Sequence, residues 1–151
     1  MSLPIDKLAV NSPDFDTLTR IPEEFSADGG NRVPRVVFDG VPEGTVELAV
    51  IVHDPDAPLP QGFTHWVVYG VAADSTELDV DADGVRQGPN TAGVTSYYGP
   101  QPPAGHGEHH YYFWVFALSR RVEGTPSREE FLDEYADAII EQARTVGLFS
   151  R

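Results

Sequence analysis

The sequence predicts a mainly β protein with one helix near its C-terminus, and three observations carry that prediction. Short apolar runs alternate with glycine-, proline- and polar-rich breaks at Asn31 to Pro34, Asp39 to Gly44, Asp54 to Gly62 and Gly99 to Gly107. Thirteen prolines and fourteen glycines in 151 residues suit strands joined by irregular loops better than a helical bundle. After Pro126 the apolar residues change to helical spacing.

Taken in chain order, Thr17 to Ile21 reads as a strand at a sheet edge and Val36 to Phe38 as a short strand. From Thr45 to His53, Val46, Leu48, Val50 and Val52 share one parity while Glu47, Ala49 and Ile51 share the other. One face is therefore fully apolar and the second becomes so inward, which predicts a central strand. His65 to Val71 and Tyr111 to Ser119 are rich in aromatic and β-branched residues, and each is expected to be buried on both faces. Ser127 with Glu130 forms a capping box, and Phe131, Tyr135, Ile139, Ala143 and Val146 continue as one amphipathic helix. Gly147 sits where a glycine would end that helix, with Leu148 and Phe149 docking the tail.

The length and a hydrophobic content of 40% predict one domain over residues 1–151. Met1 to Asn11 lacks the apolar run of a cleavable leader, and no stretch reaches membrane-spanning length, so a cytoplasmic protein without membrane insertion is expected. Cysteine is absent, which excludes disulfides, thiolate nucleophiles and Cys-containing zinc sites. A net charge of −14 repels phosphate backbones, so nucleic acid is not expected as a partner. Lys7 is the only lysine, and such a surface has two readings: adaptation to a salt-rich, halophilic cytoplasm, or an ordinary acidic protein.

Chemistry-bearing residues collect at strand ends. His53-Asp54-Pro55-Asp56-Ala57-Pro58 follows the best strand, so two carboxylates sit on a backbone stiffened by two prolines. The alternative is an Asp-Pro turn that caps local amides. His65-Trp66 opens an apolar strand, and a Gly/Pro loop from Gly99 leads through His106, His109 and His110 to Tyr111. Imidazoles and a phenol at strand ends can converge on one pocket that hydrogen-bonds the oxygens of an anion, although each histidine alone is as readily a structural group. Three histidines and two aspartates could also be a metal shell, the basis of a competing reading as a metal-dependent hydrolase, yet HExxH is absent. Asp79 to Gly84 imitates the start of an EF-hand loop, but position twelve is Asn90 and no helices flank it. No GxSxG is present for serine hydrolysis.

The order of these pieces resembles the phosphatidylethanolamine-binding protein family, also called the Raf kinase inhibitor protein family, in its compact bacterial and archaeal branch. The resemblance runs from about Pro13 to Arg151. It rests on Ile21-Pro22 with Asp28-Gly29-Gly30-Asn31, Val41-Pro42-Glu43-Gly44-Thr45, Asp54-Pro55-Asp56-Ala57-Pro58, His65-Trp66, Tyr97-Tyr98-Gly99-Pro100 with Pro102-Pro103, His109-His110-Tyr111 and Val146-Gly147-Leu148-Phe149-Ser150-Arg151. It implies a large antiparallel sheet packed on a smaller one, with a helix at the side, and a small cavity for phosphate, phosphorylated head groups or similar anions. The implied ligand residues are Asp54, Asp56, His65, His109 and Tyr111, with Tyr97 and the loop from Gly99 and Pro100 to Pro103 shaping the mouth. The two aspartates are expected to orient the imidazoles and favour imidazolium at the pocket. No catalytic residue, metal or cofactor is implied. Implied partners are a small anionic or phosphorylated ligand, a kinase or protease inhibited by docking, and a second copy in a homodimer. His110 stands where the family usually carries arginine, and Ala138 where many bacterial relatives carry histidine.

Overall fold

The computed structural model describes residues 7–151, so the leader-free reading of Met1 to Asn11 falls mostly outside the described residues. Among the described residues, eight strands make two sheets. β1 (Ala9–Asn11) pairs antiparallel with β3 (Val37–Asp39) in the small sheet. The large sheet has six strands in the order β2 (Thr19–Arg20), β8 (Ile139–Phe149), β7 (His109–Leu118), β4 (Glu47–Asp54), β5 (Phe63–Ala72) and β6 (Arg86–Gln87). It is antiparallel except at one edge, where β2 runs parallel to β8.

Strand β4 is central, as its two-sided apolar pattern predicts, although Val46 lies just outside it and is exposed. Leu48, Val50 and Val52 face a core shared with Val10 and Phe38 of the small sheet. Ala49 and Ile51 face a second core closed by Phe131 and Tyr135. The large sheet is thus sandwiched between the small sheet and α1 (Arg128–Glu134). Burial on this scale, at roughly 25 cal/mol per Å² of apolar surface, is what holds a cysteine-free chain together. β5 is buried on both faces over Thr64 to Tyr69, while the first half of β7 alternates buried and half-buried residues.

The long C-terminal helix is corrected by the structure. The Ser127–Glu130 capping box forms, but α1 ends at Glu134 and, after a 3₁₀ turn at Ala136–Ala138, the chain becomes the eleven-residue strand β8. Ile139, Ala143 and Val146 fit a helical spacing, yet the side chains of β8 alternate half-buried and exposed over its first six residues. The period of two wins because β8 zips along β7 for nearly its whole length, satisfying a backbone that a terminal helix would satisfy alone. Gly147 is accordingly no helix cap. It pairs with Tyr111 on one side and Thr19 on the other, and a Cβ there would lie 2.5 Å from Ile21 Cγ1.

Candidate functional site

Strand parity decides which side chains meet. Alternation carries the inward face of β4 from Val50 and Val52 to Asp54, and that of β7 from Val115 and Phe113 back to Tyr111 and His109. β5 needs an irregularity to contribute. Val52 pairs with Trp66 but His53 pairs with Thr64, leaving His65 as an extra residue bulged out of the ladder. The bulge lets two consecutive residues serve one side of the sheet: Trp66 packs in the core with Val52, and His65 lies edge-on to Tyr111 with ring centroids 5.2 Å apart.

These strand ends enclose a cavity of about 280 Å³. Asp54, His65, His109 and Tyr111 supply its polar groups, and Ala57, Pro58, Leu59, Phe63, Pro102 and Pro103 give it apolar walls, with Tyr98 and Gln101 completing the rim. Of the residues expected from sequence, Asp54, His65, Pro103, His109 and Tyr111 are brought together. Four are not. Asp56 turns outward and accepts hydrogen bonds from the His110 backbone N–H at 2.7 Å and from its ring Nδ1 at 2.8 Å. Burial pushes the Asp56 carboxyl up, but those hydrogen bonds with the charges of His110 and His109 outweigh it and hold the group below the usual carboxylate range. His110, standing in place of an arginine, thus holds Asp56 rather than the cavity.

Tyr97, Gly99 and Pro100 form the wall behind the cavity instead of its mouth. The Tyr97 hydroxyl donates to the Phe25 carbonyl at 2.8 Å and its ring packs edge-on to Trp66. Gly99 N–H donates to Asn31 Oδ1 at 2.6 Å, Asn31 Nδ2 donates to the Tyr97 carbonyl, and Ala27 N–H donates to the Pro100 carbonyl. The Asp28-Gly29-Gly30-Asn31 turn is therefore the clamp on this loop, and Gln101 Nε2 and Arg151 both reach Asp28. Gln101 and Pro102 line the cavity as part of the Gly99 to Pro103 loop expected at its mouth, while Tyr98, Phe63 and Leu59 line it without having been singled out. For Tyr98 a signal existed, since in extended chain only one of Tyr97 and Tyr98 can face inward; the Leu59 and Phe63 walls leave no trace in spacing.

The hydrogen bonds fix much of the electrostatics. Asp54 Oδ1 accepts from the Asp56 N–H at 2.7 Å, and Oδ2 meets His109 Nδ1 at 2.6 Å. His109 Nε2 in turn meets His106 Nδ1 at 2.7 Å, so a chain of polar contacts runs from the buried carboxyl outward. Burial pushes the Asp54 carboxyl above its ordinary range, opposed by the hydrogen bond to His109. The His65 Nδ1 lies 2.5 Å from the Tyr98 carbonyl, an acceptor, so this nitrogen carries the proton and Nε2 is the one left for a ligand. Burial lowers the His65 pKa to about 4. The expected imidazolium is therefore corrected at this position: His65 is a neutral ring, because no carboxylate reaches it and its desolvation dominates.

Tyr111 differs from the other buried tyrosines. Tyr69 donates to the Pro126 carbonyl, Tyr97 to the Phe25 carbonyl, and Tyr135 accepts from the Glu123 N–H. The Tyr111 hydroxyl has no protein partner among the described residues, and burial with the nearby Asp54 keeps it protonated far above neutral pH. Among the described residues no three His, Asp or Glu side chains are placed to hold one metal ion, so the shell a metal-dependent hydrolase would need is not assembled. Nor does any helix among them have the length and apolarity to cross a membrane.

Comparison with known proteins agrees with this architecture. A UPF0098 protein of Aquifex aeolicus is 39% identical over 153 aligned residues, covering 95% of this chain and 89% of that protein. The crystal structure of Escherichia coli YbcL, described as a new member of the mammalian PEBP family, superposes with a TM-score of 0.89 at 30% identity, covering 95% of this chain and 98% of the other. A phosphatidylethanolamine-binding protein homologue of Chlamydia trachomatis, CT736, gives 0.87 at 29% identity over 97% and 99% of the two chains. The sequence profile described as phosphatidylethanolamine-binding protein matches residues 11–150, and the chain belongs to that family.

Proposed function

We propose that this is a one-domain, cytoplasmic binding protein whose cavity takes a small anionic or phosphorylated ligand, with no reaction catalysed. The observation that carries the reading is the Tyr111 hydroxyl. The fold satisfies the hydroxyls of Tyr69, Tyr97 and Tyr135 within the protein but leaves this one, on a residue lining the cavity, without a protein partner among the described residues and not sealed from solvent. A ligand oxygen is the natural acceptor for it. The apolar walls of Pro58, Leu59, Phe63 and Pro103 suit an organic group attached to that oxygen-bearing head.

The location is tested with phenyl phosphate, which has both parts. Titration followed by backbone amide NMR shifts is expected to move Asp54, His65, His109 and Tyr111 together with the neighbouring Ala57 and Gln101. Shifts confined to other surfaces, or none at millimolar ligand, would remove the anion-binding reading.

A further inference from the structure

The same cavity discriminates among oxyanions; this inference rests on the anion-binding reading and deepens it. The usual equipment of an anion site is missing here. No lysine or arginine lines the cavity, and three of its lining residues, Pro58, Pro102 and Pro103, have no N–H to offer. The polar floor presents acceptors. His65 donates from Nδ1 to the Tyr98 carbonyl, which leaves Nε2 of this cavity-lining ring, without a hydrogen bond among the described residues, as an acceptor. Asp54 brings a carboxyl group, and His109 is occupied at both ring nitrogens by Asp54 and His106. On the rim, Tyr98 donates to Gln101 Oε1, and Gln101 Nε2 gives one of its two N–H groups to Asp28, which ties that side chain to Asp28. Tyr111 is left as the one side-chain hydroxyl that can donate inward without breaking a bond already made.

An oxyanion that only accepts hydrogen bonds would satisfy Tyr111 and leave the His65 nitrogen facing an oxygen lone pair. One that carries a proton would accept from Tyr111 and donate to His65. Compared with the doubly ionised form of the same phosphate ester it would also bring one negative charge fewer toward Asp54 in a chain of net charge −14, while a sulfate ester, of equal charge, differs from it only in lacking the proton. We propose that the cavity selects oxyacids that retain a proton, above all singly ionised phosphate monoesters, and rejects sulfates and sulfate esters of the same size.

Phenyl phosphate and phenyl sulfate separate the two cases, being alike in ring and tetrahedral head. At about pH 6 a phosphate monoester is near half singly ionised, whereas the sulfate ester has no proton to give. Calorimetry is expected to show phenyl sulfate binding about ten- to a hundredfold more weakly, the cost of an unpaired buried acceptor. In H65Q the side-chain amide can turn its N–H₂ inward, so the ratio is expected to collapse toward one while phenyl phosphate still binds. H65N, with a shorter amide, gives a second reading if H65Q unfolds. Equal affinity of the wild-type protein for both esters would overturn the selectivity and leave anion binding standing. Binding of benzylammonium with neither ester bound would overturn anion binding itself.

Discussion

Consecutive residues, His65 and Trp66, lead into two regions that the fold treats in opposite ways. Trp66 packs against Tyr97, whose hydroxyl is tied to Phe25, behind a loop clamped through Asn31 and Asp28. His65 packs against Tyr111, whose hydroxyl is tied to nothing among the described residues. One region is a wall in which every polar group is absorbed by the structure. The other is a floor where Asp54 and His109 are held in place by hydrogen bonds and the Tyr111 hydroxyl is left without a protein partner among the described residues, the state a binding site requires before its ligand arrives. Substitutions in the two regions should therefore divide cleanly between stability and binding.

The largest effect is expected in the wall. A Cβ at Gly99 would run into the Phe25 carbonyl oxygen and lie 2.8 Å from the Ala27 nitrogen, both backbone atoms that cannot swing aside. Gly99→Ala should destabilise the protein by about 3 kcal/mol, read as a lower urea midpoint with unchanged slope. Gly105 and Gly107, further along the same loop, meet nothing within 4 Å at an added Cβ and adopt φ of 76° and 84°. Alanine there meets only left-handed backbone strain, about 1 kcal/mol. Equal effects at Gly99 and Gly105 would mean the wall is not clamped as described.

Much of this contrast was legible in the sequence, and the parts that were not have identifiable causes. Period-two patterning located β4, aromatic and β-branched runs located β5 and β7, and together they put Asp54, His109 and Tyr111 at or beside strand ends. The capping box located the start of α1. What spacing alone could not reveal was β8, because Ile139, Ala143 and Val146 satisfy a helical period and a strand reading depends on β7 as partner. The bulge that aims His65 was hidden for the same reason, since it exists only in the register between β4 and β5. Tyr97 was preferred to Tyr98 because motif position does not say which of two adjacent rings turns inward.

An intermediate effect separates the regions by pH. Burial holds His65 near a pKa of about 4 in the folded state, against about 6.5 unfolded. The unfolded chain therefore takes up the proton first as pH falls below the unfolded value. The stabilisation from keeping this ring neutral is complete above that value and is lost downward toward pH 4. Between pH 7 and pH 5 that loss comes to about 2 kcal/mol. His53, buried and lowered likewise to about 4, contributes separately with the same sign. Urea unfolding at the two pH values should show H65Q falling about 2 kcal/mol less than wild type. Identical falls would mean the ring is not held neutral by burial.

The smallest effect on stability is the most informative. Tyr97→Phe removes a hydroxyl that the fold uses and strands a buried carbonyl, so about 1–2 kcal/mol should be lost with phenyl phosphate affinity unchanged. Tyr111→Phe removes the hydroxyl of an equally buried residue, one that no protein group among the described residues uses. Its unfolding free energy should stay within about 0.5 kcal/mol of wild type, while phenyl phosphate affinity falls about tenfold. The two substitutions are chemically identical, so no general effect of deleting a phenolic oxygen can produce opposite outcomes. If Tyr111→Phe instead lowers stability as Tyr97→Phe does and leaves phosphate binding intact, the floor is ordinary core and the distinction between the two regions disappears.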